Sequence, residues 1–261
     1  MSLVPQSISR MLQSCSAATI RRSAFAAVDF LLPRTCVCCD AGLDEGGNTI
    51  VCLTCLARLP RLPAPHCDRC GHPRTLGACR WCQMLPPYVR AVRSVCWVPG
   101  GTGAEMVHAL KYGGWTALAE PMAQQMARPA LPRDVVEERS MLIPVPLAPS
   151  RLRERGFNQS EELARALGRI WALPVVSALS RGRSTGTQTR LTPSDRLRNV
   201  AGAFATVIGS VELAGRHVVL VDDVVTTAAT LNACAQALHQ GGARIISYVT
   251  FGRARAAGDI L

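Results

Sequence analysis

Lysine is almost absent from this sequence. Of 29 basic residues in 261, only Lys111 is a lysine. Positive charge is therefore arginine charge, and its abundance makes any one Arg weak evidence for a site, while the lone ammonium stands out. Acidic residues are few as well, 18 in all, which leaves a net charge of +11. Such a surface draws nucleic acid, anionic lipid or phosphorylated small molecules without choosing between them. Aromatic residues make up 5% of the chain, which argues against an extensive base-stacking platform. No run approaches the roughly 20 apolar residues of a membrane span. With 48% hydrophobic and 18% charged residues, the composition is globular rather than disordered. The length suits one or two domains at roughly 100–200 residues each.

Cysteine is abundant by contrast. Nine of the 12 cysteines lie between Cys36 and Cys82. They form two blocks, Cys36-x2-Cys39 with Cys52-x2-Cys55, and Cys67-x2-Cys70 with Cys79-x2-Cys82. A CxxC turn presents two thiolates on one side of a tight loop, and two such knuckles make a tetrahedral site for zinc. About two structural Zn2+ ions, each held by sequential knuckles, is the direct reading; cross-braced pairing stays open, as do iron–sulfur and disulfide alternatives. Cys38, His66 and His72 stand close enough in sequence to be substitute ligands, and are read as bystanders. Cys15, Cys96 and Cys234 lie in apolar surroundings and are read as buried thiols. Repeated CxxC pairs favour a reducing, cytoplasmic setting over a secreted disulfide framework. Residues 1–28 hold no acid and three arginines, which resembles a transit peptide in composition. We read them instead as a helix leading into the cysteine module.

The order of motifs gives three regions: a helical leader over 1–35, a cysteine module over 36–83, and an α/β domain over 91–261. Residues 83–90 read as a linker, because Pro86-Pro87 cannot continue a helix. Within the last region, 92–98, 141–145, 217–221 and 244–251 read as strands. Segments 102–109 (capped by Thr102), 116–126 (kinked near Pro121), 160–171 and 230–240 read as helices. This alternation predicts a mainly parallel sheet.

The strand HVVLV, 217–221, ends in Asp222-Asp223, and Val224-Val225-Thr226-Thr227-Ala228-Ala229-Thr230-Leu231 follows. Ligands of open α/β sheets bind at the carboxyl ends of strands. A small-residue loop lets backbone N–H groups close on an anion, and a helix N-terminus adds its dipole. The two carboxylates then stand where vicinal sugar hydroxyls can meet them. A buried strand with an acidic cap explains one Asp and one Thr, but not the whole segment. Val145-Pro146-Leu147-Ala148 follows a strand in the same way, and Arg151, Arg153 and Arg155 come next, able to offer forked donors to phosphate oxygens. Lys111 precedes a Gly-Gly turn, from which a flexible ammonium can reach an anionic ligand. Residues 181–199 are polar and rich in Gly, Thr and Arg, and read as a flap over a ligand.

The fourteen residues from Val218 to Leu231 resemble the phosphoribosyl-pyrophosphate signature of type I phosphoribosyltransferases. That resemblance implies that Asp222 and Asp223 bind the ribose hydroxyls, that Thr226, Thr227, Ala228, Ala229 and Thr230 cradle the 5′-phosphate, and that Mg2+ accompanies the substrate. Most relatives carry Gly where Ala228 stands; if φ is positive there, Ala costs roughly 1 kcal/mol or more. Together with the cysteine module, Leu110-Lys111-Tyr112-Gly113-Gly114, Ile143-Pro144-Val145-Pro146 and Arg155-Gly156-Phe157-Asn158-Gln159-Ser160, the order is similar to that of the ComF family. In the flap, the family motif falls on Gln188, Leu191, Arg196 and Asn199. The resemblance implies a phosphoribosyltransferase-type fold behind a double zinc ribbon, with phosphoribosyl pyrophosphate as ligand and a link to natural transformation and DNA uptake. The alternative is a non-catalytic protein that retains the pocket and binds single-stranded DNA or partners of the uptake machinery. Trp81 and Tyr88 are then the stacking candidates near the module, equally readable as packing. A homo-oligomer stays open, as does the acceptor.

Overall fold

The segment HVVLVDDVV is so apolar that it can be stable only as a strand covered on both faces. In the computed structural model, which describes residues 34–43, 50–74, 79–98, 100–182 and 202–255, it is an inner strand of a four-stranded sheet. The strands are β1 (Val89–Val98), β2 (Arg139–Pro144), β5 (His217–Val225) and β6 (Ile245–Ala254). Their order is β1-β6-β5-β2, and every pairing is parallel. A separate antiparallel pair joins β3 (Leu179–Arg181) to β4 (Phe204–Thr206).

The helices are α1 (Leu53–Ala57), α2 (Arg80–Gln83), α3 (Gly101–Tyr112), α4 (Ala119–Met126), α5 (Arg133–Glu138), α6 (Pro149–Arg155), α7 (Gln159–Trp171) and α8 (Ala229–Gln240). None of the described helices is long and apolar enough to cross a membrane. Helix α8 makes the crossover from β5 to β6. Because β2 and β5 are neighbours and parallel, the loops that follow them leave the sheet side by side. Val145 N donates to Val221 O at 3.0 Å and ties the two exits together.

The elements differ from expectation in particular places. Strand β1 begins at Val89, since Val89 already pairs with Ile246. Helix α3 is not capped by Thr102. The chain turns through Gly100 (φ 115°) and Gly101 (φ 61°) directly into the helix. The segment 116–126 is a 3-10 turn over Thr116–Leu118 followed by α4. Pro121 lies in the first turn of α4, where its missing N–H leaves no bond unmade, so it need not kink the helix. Helix α5 and the β3–β4 pair escaped the sequence reading because both are short and carry little periodicity. Of the flap over 181–199, only Arg181 and Gly182 fall among the described residues, so its motif residues lie outside them.

The chain divides into two compact units, Met1–Cys52 and Leu53–Leu261. Within the second, the second cysteine block shares one hydrophobic core with the sheet. Cys70, Trp81 and Leu85 are buried in the same cluster as Val218, Leu220, Ala228 and Leu231. Val92 N on β1 donates to Arg69 O at 2.7 Å. Gly71 has φ +64°, and a Cβ there would collide with the Val92 carbonyl oxygen, so only glycine lets the knuckle approach β1 this closely. Residues 83–90, expected as a linker, are pinned by Arg69, which donates to Leu85 O at 3.2 Å, Pro86 O at 2.7 Å and Val89 O at 3.1 Å.

Candidate functional site

Eight thiols form two groups in sequential pairing: Cys36, Cys39, Cys52 and Cys55, then Cys67, Cys70, Cys79 and Cys82. All sulfurs within a group lie within 4.8 Å of one another. The sulfurs are 3.8 Å apart for Cys39–Cys52, 3.4 Å for Cys67–Cys82 and 3.3 Å for Cys70–Cys79. A tetrahedral zinc with bonds of about 2.3 Å needs sulfurs about 3.8 Å apart, so both groups fit the ion with small adjustments. Neither Cys38 nor the two histidines joins a group. His66 Nε2 meets Leu62 O at 3.1 Å, and buried His72 packs on Trp81 and Trp97. Cys96 and Cys234 are buried thiols as expected, and Cys15 lies outside the described residues.

The loop after β5 surrounds a small cavity of about 40 Å³ lined by Asp222, Thr226, Ala228, Ala229 and Thr230, among others. Ala228 is left-handed, with φ 59° and ψ 5°. That conformation turns the chain sharply into α8, which starts at Ala229 without a side-chain cap on its N–H groups. Uncapped N–H groups at a helix start favour an anion.

Both aspartates are buried, Asp222 8% exposed and Asp223 4%. Successive residues of a strand face opposite ways, and the two carboxylates have different partners. Asp222 Oδ1 accepts from Ser160 Oγ at 2.7 Å and from Asp223 N at 2.9 Å. Asp223 Oδ2 is ion-paired with Lys111 Nζ at the end of α3. Burial, then the Asp223 charge, push the Asp222 carboxyl up to about 7, against the Ser160 hydrogen bond.

Ser160 and Asn158 were visible in the sequence only as parts of a motif. The structure gives each a task. Asn158 caps α7 by accepting from Ser160 N at 3.1 Å. Its amide donates to Val145 O at 3.0 Å and so braces the loop after β2. An N-cap Asn before a helical period was the available signal. Arg155 donates to Gln159 Oε1 and lies 5.4 Å from the Tyr112 ring centroid. Arg151 is paired with Glu154 at 2.8 Å. Trp81 is buried beneath Arg253, and Tyr88 stacks on His239. The two exposed aromatics among the described residues are Tyr112 and Trp115, 67% and 49% exposed.

A parallel sheet with a phosphate-type loop at its carboxyl edge, joined to two four-thiol sites, defines a phosphoribosyltransferase-type domain with a double zinc ribbon. Known families agree: the phosphoribosyl transferase domain matches residues 152–260, and the double zinc ribbon domain matches residues 27–85. The chain is 32% identical over 222 residues to "DNA utilization protein YhgH" of Shigella flexneri, covering 82% of this chain and 95% of that one. It is 38% identical over 116 residues to "Competence protein F" of Haemophilus influenzae, covering 44% of this chain and 50% of that one. It is 27% identical over 199 residues to "Competence protein ComFC" of Bacillus subtilis, covering 74% and 79%. The chain belongs to the ComF family.

Proposed function

We propose that this protein binds phosphoribosyl pyrophosphate with Mg2+ and transfers its phosphoribosyl group to an acceptor, in the service of DNA uptake or use. The observation that carries this reading is the cavity ringed by Thr226, Ala228, Ala229 and Thr230 with Asp222 in its lining. The 5′-phosphate would occupy that ring, held by backbone N–H groups at the start of α8 and by threonine hydroxyls. Asp222, once ionised, accepts from a ribose hydroxyl. Asp223 does the same when Lys111 leaves it, and the freed ammonium turns to the pyrophosphate. The neighbouring loop that opens at Val145 and Pro146 would flank the pyrophosphate, with Arg151 and Arg155 as its donors. Mg2+ arriving with the substrate would add charge neutralisation at the leaving pyrophosphate. As the bond from C1 to the pyrophosphate oxygen breaks, positive charge grows on the ribose, and the two carboxylates favour it. The family's names in uptake and DNA use support the setting, and eight zinc-type thiols suit a reducing cytoplasm.

Calorimetry with phosphoribosyl pyrophosphate and Mg2+ tests this. Binding by the native chain, abolished in Asp222→Asn/Asp223→Asn, is expected. Equal binding by both would remove the reading.

A second reading, single-stranded nucleic acid as ligand, is favoured by two exposed aromatics, Tyr112 at the end of α3 beside Arg155 and Trp115 just after that helix. Quenching of Trp115 fluorescence by an oligonucleotide, weakening steeply with salt, would support it, and no quenching at low salt would dismiss it.

A further inference from the structure

Arg253, on β6, is 0% exposed. A guanidinium so placed is costly unless charge lies near it. Its Nη2 donates to the carbonyl of Cys70, one of the second group of thiols, at 2.6 Å. Its Nε donates to Ser94 Oγ at 3.4 Å, and its face lies 4.9 Å from the Trp81 ring centroid. Trp81 sits between Cys79 and Cys82 in the sequence. With zinc bound, four thiolates and one divalent ion leave that centre with two negative charges. The buried cation and the half-buried anionic centre thus meet through the carbonyl of Cys70, the one buried ligand of the four. A hydrogen bond to the carbonyl of a ligand residue restrains the knuckle that aims the sulfur, and groups outside a metal's ligand set tune its affinity in this way.

We propose that Arg253 is a positioning residue for the second zinc centre: it fixes the Cys67–Cys70 knuckle, balances the charge of the metal–thiolate group, and sets how slowly that ion leaves. The same side chain anchors the knuckle to β6, where Arg253 is in register with Val225 at the end of β5. Ser94, which accepts from Arg253, is bonded in turn to Thr250 at 2.7 Å, and Thr250 is in register with Asp222. The second zinc is therefore built into the framework beneath the phosphate loop, through strands rather than through a tether.

The test uses the full zinc-loaded chain. Zinc release to a chelating dye is followed in native protein, Arg253→Lys and Arg253→Met, each also in a Cys39→Ser background that disables the first site. Arg253→Met is expected to speed loss of the second ion by about 10–100-fold and to leave release from the first site unchanged. Arg253→Lys keeps the charge but loses the fork, and should fall between. In cadmium-substituted protein, Arg253→Lys should move one of two cadmium resonances and leave the other in place. Should Arg253→Met fail to fold, the lysine variant alone decides. Unaltered release of the second ion with both resonances unmoved would overturn the proposal, as would equal acceleration at both sites.

Discussion

Ser160 donates its hydroxyl to Asp222 Oδ1 at 2.7 Å across 62 residues of sequence, joining the start of α7 to the end of β5. Among the described residues it is the one side chain that hydrogen-bonds to Asp222, yet burial and the Asp223 charge still push that carboxyl up to about 7. A raised carboxyl means that the folded chain binds more protons than the unfolded chain between about pH 4 and pH 7. Stability therefore falls as pH rises through that window, by up to about 4 kcal/mol once the group is ionised. Asp222→Asn keeps the shape and removes the ionisation. Urea unfolding without ligand should show native protein losing stability from pH 4 to 7, and the variant losing less. Parallel profiles would show that Asp222 titrates normally.

Lys111 and Asp223 form the other half of the site. Lys111→Met strands a carboxylate that is 4% exposed, which should cost about 3 kcal/mol at pH 8. Adding Asp223→Asn removes the stranded charge, so the double variant should recover most of that loss. A double-mutant cycle by urea unfolding measures it. Additive losses would mean that the pair is not coupled.

How much of this was legible follows from what kind of signal each residue carries. HVVLV announced a strand buried on both faces, and repeated CxxC spacing announced the thiol groups, because both patterns are local. The parallel sheet followed from alternation. The sequence set Asp222 and Asp223 together against one sugar, and did not show that each is held by a separate partner. Ser160 and Lys111 reach them from helices far away in sequence, and only the packing of α3 and α7 decides that. Likewise Arg253 was one arginine among many. Its role depends on register between β6 and its neighbours, which no single segment encodes. Trp81 was legible as an aromatic near the cysteines, yet its burial depended on the knuckle docking onto β1.

The two thiol sites should differ in what they hold up. Cys70 is buried within the core that contains the sheet, whereas Cys39 is exposed. Cys70→Ser should lower the melting temperature of the phosphoribosyltransferase-type unit by many degrees. Cys39→Ser should leave that transition nearly in place while the zinc content falls by about one ion. Metal analysis with calorimetric melting checks both. Equal effects of the two variants would refute the asymmetry.

Ala228 offers the sharpest test of the loop. Its φ of 59° costs an alanine about 1–2 kcal/mol relative to right-handed backbone, and glycine would escape that strain. Yet Ala228 is only 4% exposed and belongs to the core cluster. Its methyl group contributes about 0.8 kcal/mol through burial, and glycine would add about 0.4–1 kcal/mol of unfolded-chain freedom. These effects nearly cancel, which explains how alanine can stand at a left-handed position where the resembled signature mostly carries glycine. Ala228→Gly should therefore change stability by less than about 1 kcal/mol in either direction. Ala228→Val has no such offset: a β-branched side chain in left-handed backbone is a steric outlier, and the added methyls have only a small cavity to enter. It should cost at least about 2 kcal/mol and weaken binding of phosphoribosyl pyrophosphate, if that is the ligand, more than Ala228→Gly does. Urea unfolding of the two variants decides the matter. A strongly stabilised glycine variant would mean that the methyl group contributes nothing, and a well-tolerated valine would mean that residue 228 is not held left-handed at all.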